Sequence, residues 1–181
     1  MKKLFFLTLL LTFKLSLKAQ TLFNSFSNEI SFFSEAPLDN ISAINKDAKS
    51  LINPSNNEIA VILGIRNFKF EKAFMEEHFN ENYLESHKYK TAVFKGKINE
   101  KIDFFMEGSY EVTATGKLNI HGVEQERTIN GTILIKGDTL TLKTAFKVAL
   151  KDHKIEIPKI VSSNIAEEVD VKAIIIYEPK K

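Results

Sequence analysis

Between Gly108 and Ile120 apolar and polar side chains alternate almost without interruption. Tyr110, Val112, Ala114, Leu118 and Ile120 share one parity, while Ser109, Glu111, Thr113, Thr115, Lys117 and Asn119 share the other. Successive side chains of a strand point to opposite faces, so this segment is a ribbon with one dry side and one wet side. At about 3.3 Å per residue it extends roughly 40 Å, well beyond an ordinary strand. Long two-faced strands suit an antiparallel sheet that curls and closes on itself, and a closed sheet has an inside.

The same pattern recurs along the chain. Leu140, Leu142, Phe146, Val148 and Leu150 face away from Thr139, Thr141, Lys143, Lys147 and Lys151. Ala92, Phe94, Gly96 and Ile98 share a face, as do Ile129, Gly131, Ile133 and Ile135, and a last strand is predicted from Val169 to Tyr177. Asn28–Ser34 reads as a strand with aromatics on both parities, followed by a turn at 37–40 and a weaker strand over 41–52. Ile59 to Ile65 is apolar on both faces, which predicts cover on its outer side. His121-Gly122-Val123 and Lys136-Gly137-Asp138 read as hairpin connections. Only residues 71–86 break the alternation: Phe74, Met75, His78, Phe79, Asn82 and Tyr83 recur at spacings of three and four, predicting one amphipathic helix.

The N-terminus reads as a targeting segment. Lys2 and Lys3 precede an apolar run from Leu4 to Phe13, too short to span a bilayer but suited to a signal peptide, with Ala19-Gln20 as the cut. Residues 1–19 are therefore expected to leave, and 20–181 to form one domain. Lys2, Lys3, Lys14 and Lys18 depart with the peptide, taking the formal charge from +2 to −2. No basic stripe is left to suggest nucleic acid. With no cysteine, a disulfide scaffold and thiol chemistry are excluded.

Roughly eight antiparallel strands with one apolar parity form either a two-sheet sandwich or a closed barrel. Strand length and short hairpins favour the barrel. An eight-stranded barrel is either filled by side chains or just wide enough for one small ligand. Small residues on the apolar parity (Ala92, Gly96, Ala114, Gly116, Gly131 and Ala173) fit both: they vacate volume, or they let strands coil sharply. The helix has two roles open to it, packing over the barrel's end or acting as a mobile lid.

Chemistry-bearing motifs are few. His78, Glu77 and Glu81 lie close on the helix, but no second cluster completes a metal site. His87, His121 and His153 fall at element ends. No G-x-S-x-G, H-E-x-x-H, P-loop or dinucleotide glycine pattern occurs. The Asn130-Gly131-Thr132 sequon lies mid-strand. No enzymatic activity, metal or cofactor is expected.

The run His78-Phe79-Asn80-Glu81-Asn82-Tyr83-Leu84-Glu85-Ser86, followed by Lys88 to Gly96, resembles the YceI-like, lipid- or polyisoprenoid-binding family of exported bacterial proteins. Gly116-Lys117-Leu118-Asn119-Ile120-His121-Gly122-Val123 is similar to that family's long-strand ending. Phe146-Lys147-Val148 and Asp152 with Ile155-Glu156-Ile157-Pro158 fit its C-terminal part. Near the start the chain departs from the family, with Ser27-Asn28-Glu29 in place of a His-Ser pair. The resemblance implies an all-β, lipocalin-like, antiparallel eight-stranded barrel with one amphipathic helix, and tips the balance toward a cavity. It implies a periplasmic or secreted binder of an amphiphilic lipid, an isoprenoid or fatty chain, as carrier or sequestering protein. Expected wall residues are Phe94, Tyr110, Val112, Leu118, Ile133, Leu142, Phe146 and Val148, with the Tyr110 hydroxyl available to a polar end. The alternative is a filled barrel acting through its outer surface as an interaction or stress-associated module.

Overall fold

The computed structural model describes residues 21–35, 40–157 and 166–180. The expected signal segment, the turn at 37–40 except Asn40, and the stretch around Pro158 and Ile160 lie outside them. The strand segments are β1 (Phe23–Ser34), β2 (Ile41–Asn45), β3 (Lys49–Asn53), β4 (Glu58–Gly64), β5 (Lys69–Phe70), β6 (Thr91–Ile98), β7 (Gly108–Ile120), β8 (Val123–Lys136), β9 (Thr139–Ala149) and β10 (Glu168–Pro179). All neighbours are antiparallel, and β10 pairs with β1 from Phe23↔Pro179 to Phe33↔Asp170, which closes the sheet into a barrel. The ten segments make eight staves, because β2 continues as β3 and β4 resumes as β5, with β3 on β4 and β2 on β5.

The interruption between β2 and β3 has a local cause. Asn45 is fully buried; its Oδ1 accepts from the Asp47 amide at 2.9 Å, and its Nδ2 donates to the Gly64 carbonyl at 2.9 Å. An asparagine that bonds its own backbone two residues on makes a turn. Here it interrupts the strand and ties it to the end of β4. In β1 the register slips between Ser25 and Ser27, a bulge that shifts the inward parity. Phe23 is inside, Phe26 is expelled to the surface, and Ile30 and Phe32 are inside again.

The outer cover expected over 59–65 is not found among the described residues: Ile62 is 44% exposed. The helix is also shorter than its stripe, and α1 covers Ala73–His78. The Asn80 side chain takes the Glu76 carbonyl at 2.8 Å, the next turn widens to a π-helical one over Phe79–Tyr83, and Glu85 ends it with a left-handed φ of 42°. Side-chain competition for helical carbonyls is the physical reason.

Two of the small residues are required by backbone approach. Gly96 and Gly116 face each other across β6 and β7, and a Cβ on Gly116 would lie 2.2 Å from the Lys95 carbonyl oxygen. Ala92, Ala114 and Ala173 instead present methyls to open volume. At the β7–β8 turn Gly122 takes φ 72°, with the Tyr89 ring packed where a side chain would stand.

The barrel is filled unequally. At one end Phe23, Ile52, Ile133, Ile135, Leu140 and Tyr177 are buried together as a floor. Ser50 Oγ donates to the Ala60 carbonyl at 2.9 Å, so the 2.7 Å bond between Ser50 and Tyr177 must use the phenol as donor. Burial pushes the Tyr177 phenol well above its ordinary range. The other end is hollow.

Candidate functional site

Above the floor lies a cavity of about 520 Å³, opening beside α1. Its wall is built from the inward parity of nearly every stave: Phe32, Val61, Phe94, Leu118, Phe146 and Val171 represent six of them. Polar lining is confined to Ser34, His78, Tyr83, Asn130 and Thr144, and no Lys, Arg, Asp or Glu among the described residues lines it. A dry volume of this kind takes an apolar occupant, because nothing inside repays the desolvation of a charge.

The mouth is aromatic. Phe32 stacks on Phe79 at 5.4 Å between ring centroids, and Phe68 and Phe70 meet both rings edge-on or tilted at 5.0–5.8 Å. Phe74 and Met75 of α1 also line the opening, and Phe74 is 68% exposed. No residue of α1 is buried, so the helix rests on the rim rather than in the core.

The segment after the helix is fastened to the barrel. His121 takes a left-handed φ of 53°, and its Nε2 lies 2.9 Å from Glu85 Oε2 while its Nδ1 lies 3.2 Å from the His153 carbonyl. Tyr89 meets the His121 ring edge-on at 4.2 Å, and Arg66 Nε donates to the buried Ser86 hydroxyl at 3.2 Å. The two stretches that carried the family resemblance therefore touch each other here. His153 is fully buried with Nδ1 at 3.1 Å from the Val123 carbonyl, and burial holds its pKa below the ordinary histidine range.

Of the residues expected to form the wall, Phe94, Val112, Leu118, Leu142, Phe146 and Val148 line the cavity together. Tyr110 and Ile133 are outside its lining. Ile133 is fully buried in the floor, and the Tyr110 hydroxyl donates to the Met106 carbonyl at 3.0 Å. The aromatic mouth is absent from the expected set, although Phe74, Met75 and Phe79 belong to the helical stripe read in the sequence. No grouping of three or more metal-ligating side chains occurs among the described residues. Nor is any helix among them long and apolar enough to cross a membrane.

Solved structures share this fold. A polyisoprenoid-binding domain from Saccharophagus degradans, implicated in plant cell wall breakdown, superposes with a TM-score of 0.74 at 12% identity, covering 87% of this chain and 98% of that one. Burkholderia cenocepacia BcnA gives 0.71 at 16% identity, covering 82% and 95%. The Campylobacter jejuni YCEI protein gives 0.62 at 20% identity, covering 81% and 89%. A comparison with curated proteins finds no match. The model of the YceI-like domain matches residues 9–176, nearly the whole length, and the chain belongs to the YceI-like family.

Proposed function

We propose that this is an exported carrier or sequestering protein that holds an isoprenoid or fatty chain in the barrel cavity. In this reading residues 1–19 direct export to the periplasm or beyond, and 20–181 form the mature domain. The observation that carries it is the hollow itself, about 520 Å³ lined without one carboxylate, lysine or arginine among the described residues. The likeness to a polyisoprenoid-binding domain supports it. An apolar cavity of roughly 150 Å³ accepts one six-carbon ring, so this volume suits a chain on the order of 20 carbons. At about 0.8 kcal/mol per buried carbon the gross gain is on the order of 15 kcal/mol. That offsets an association cost of about 4–15 kcal/mol.

Phe94, Val112, Leu118, Leu142, Phe146 and Val148 contact the chain, and Ile133 and Tyr110 belong to the end at which it stops. The reading requires no cofactor, metal or catalytic step. Native mass spectrometry of gently purified protein tests it, with an additional mass of several hundred daltons expected. Protein that carries no such mass, and that after solvent extraction takes up neither prenyl nor fatty chains, overturns it.

A further inference from the structure

Resting on that reading, we infer that the polar end of the bound molecule is an uncharged hydrogen-bonding group, an alcohol or carbonyl, received at the mouth by His78 and Tyr83. The lining offers an anion no cation: neither lysine nor arginine is among its described residues. The rim adds negative charge. Residues 71–85 contain Glu71, Glu76, Glu77, Glu81 and Glu85 against Lys72 alone. Among the flanking cations Lys69 pairs with Glu76 at 3.0 Å, Arg66 donates to the Ser86 hydroxyl, and Lys88 lies over the Tyr89 ring at 4.7 Å. A phosphate or carboxylate drawn into this mouth loses water and meets no lysine or arginine among the described lining residues.

Hydrogen-bonding capacity is nonetheless present. Asn82 Nδ2 lies 3.2 Å from His78 Nδ1; with the amide donating, the neutral imidazole carries its proton on Nε2, where it is a donor. Phe74 packs on the His78 ring at 4.1 Å between centroids, which restrains its orientation. Tyr83 lines the same cavity, and burial raises its phenol above the ordinary value, keeping it a neutral donor and acceptor. The remaining polar side chains are already employed or turned away. Thr144 Oγ1 donates to the Asn130 carbonyl, Ser34 Oγ accepts from the Ala166 amide at 3.1 Å, and Asn130 is on the outward parity. His78 ends α1 and Tyr83 ends the π-helical turn, so both lie where an apolar tail leaves the barrel.

The test uses two molecules with one tail. Geranylgeraniol and geranylgeranyl diphosphate are titrated against the mature, lipid-extracted protein loaded with the uncharged fluorophore N-phenyl-1-naphthylamine. The alcohol is expected to bind at least about tenfold more tightly, the penalty for one unpaired charged group. His78→Ala and Tyr83→Phe are each expected to weaken the alcohol about fivefold, the share of one neutral hydrogen bond. Displacement by hexadecane, which makes no hydrogen bond, should weaken by less than about twofold in either variant. A diphosphate that binds as well as the alcohol overturns this inference and leaves the carrier reading standing, as do variants that weaken hexadecane and alcohol equally. If no prenyl compound or hydrocarbon displaces the fluorophore, the carrier reading fails and takes this one with it.

Discussion

Replacing Ala173 with leucine separates a hollow barrel from a filled one by the sign of a stability change. Ala173 stands midway along β10, opposite Ile30 on one side and Thr144 on the other, with its methyl on the cavity wall. Leucine adds three carbons, and burying them in vacant space is worth about 2.4 kcal/mol. Restricting the longer side chain costs about 0.5–1 kcal/mol, so the net gain is about 1.5–2 kcal/mol. For a domain of this size each kcal/mol moves the thermal midpoint by about 2–4 °C, giving a rise of about 3–8 °C. A packed interior responds in the opposite direction, since inserting carbons into it costs about 1–3 kcal/mol. The assay is calorimetric or circular-dichroism melting of lipid-extracted wild type and variant at neutral pH. A midpoint that falls by several degrees refutes the claim that this level of the barrel is empty. The same variant should bind geranylgeraniol more weakly, because its new side chain occupies the tail's place.

Gly116→Ala sets a methyl against the Lys95 carbonyl and the Gly96 Cα, backbone atoms that cannot step aside, so a loss of about 3 kcal/mol or more is expected in chemical denaturation. Tyr177→Phe removes the bond to Ser50 and should lower stability by about 1 kcal/mol, while in the wild type ultraviolet titration should find one tyrosine that ionises only on unfolding. Burial depresses the His153 pKa below the ordinary 6.5, so the unfolded chain binds more protons as acid is added. Stability is then full above about pH 6.5 and declines as pH falls toward the folded pKa; midpoints measured from pH 7.5 to 5 should show this, with a shallower slope in His153→Gln. His121→Asn keeps a residue that tolerates left-handed φ but deletes the contact with Glu85, and amide exchange over Ala73–Ser86 should accelerate while the floor strands stay protected.

Strands β6, β7 and β9 were legible in the sequence because each has one wet and one dry face, and strict alternation records that directly. β1 was blurred by the bulge at Phe26, which shifts parity in mid-strand and puts aromatics on both faces. The break after Asn45 depends on a carbonyl donated from Gly64, a partner distant in sequence, and local patterning does not contain it. Helical spacing located the segment at 71–86, but a side chain at Asn80 decided how much of it stays α-helical. Parity also says which way a side chain points and not how deep it sits. Tyr110 and Ile133 share a parity with true cavity residues yet belong to the closed end, because depth is set by stagger between staves. Gly96 and Gly116 were ambiguous for a related reason: the carbonyls they make room for come from the neighbouring strand.

The seam between β1 and β10 joins the two ends of the described sheet. Its first and last strands are each other's neighbours, so residues 168–179 complete a cylinder that without them is an open gutter. In that gutter β1 and β9 present unsatisfied backbone along two long edges, and the greasy channel faces water. Shape and container thus depend on one and the same pairing, and whatever loosens that seam opens the channel to water.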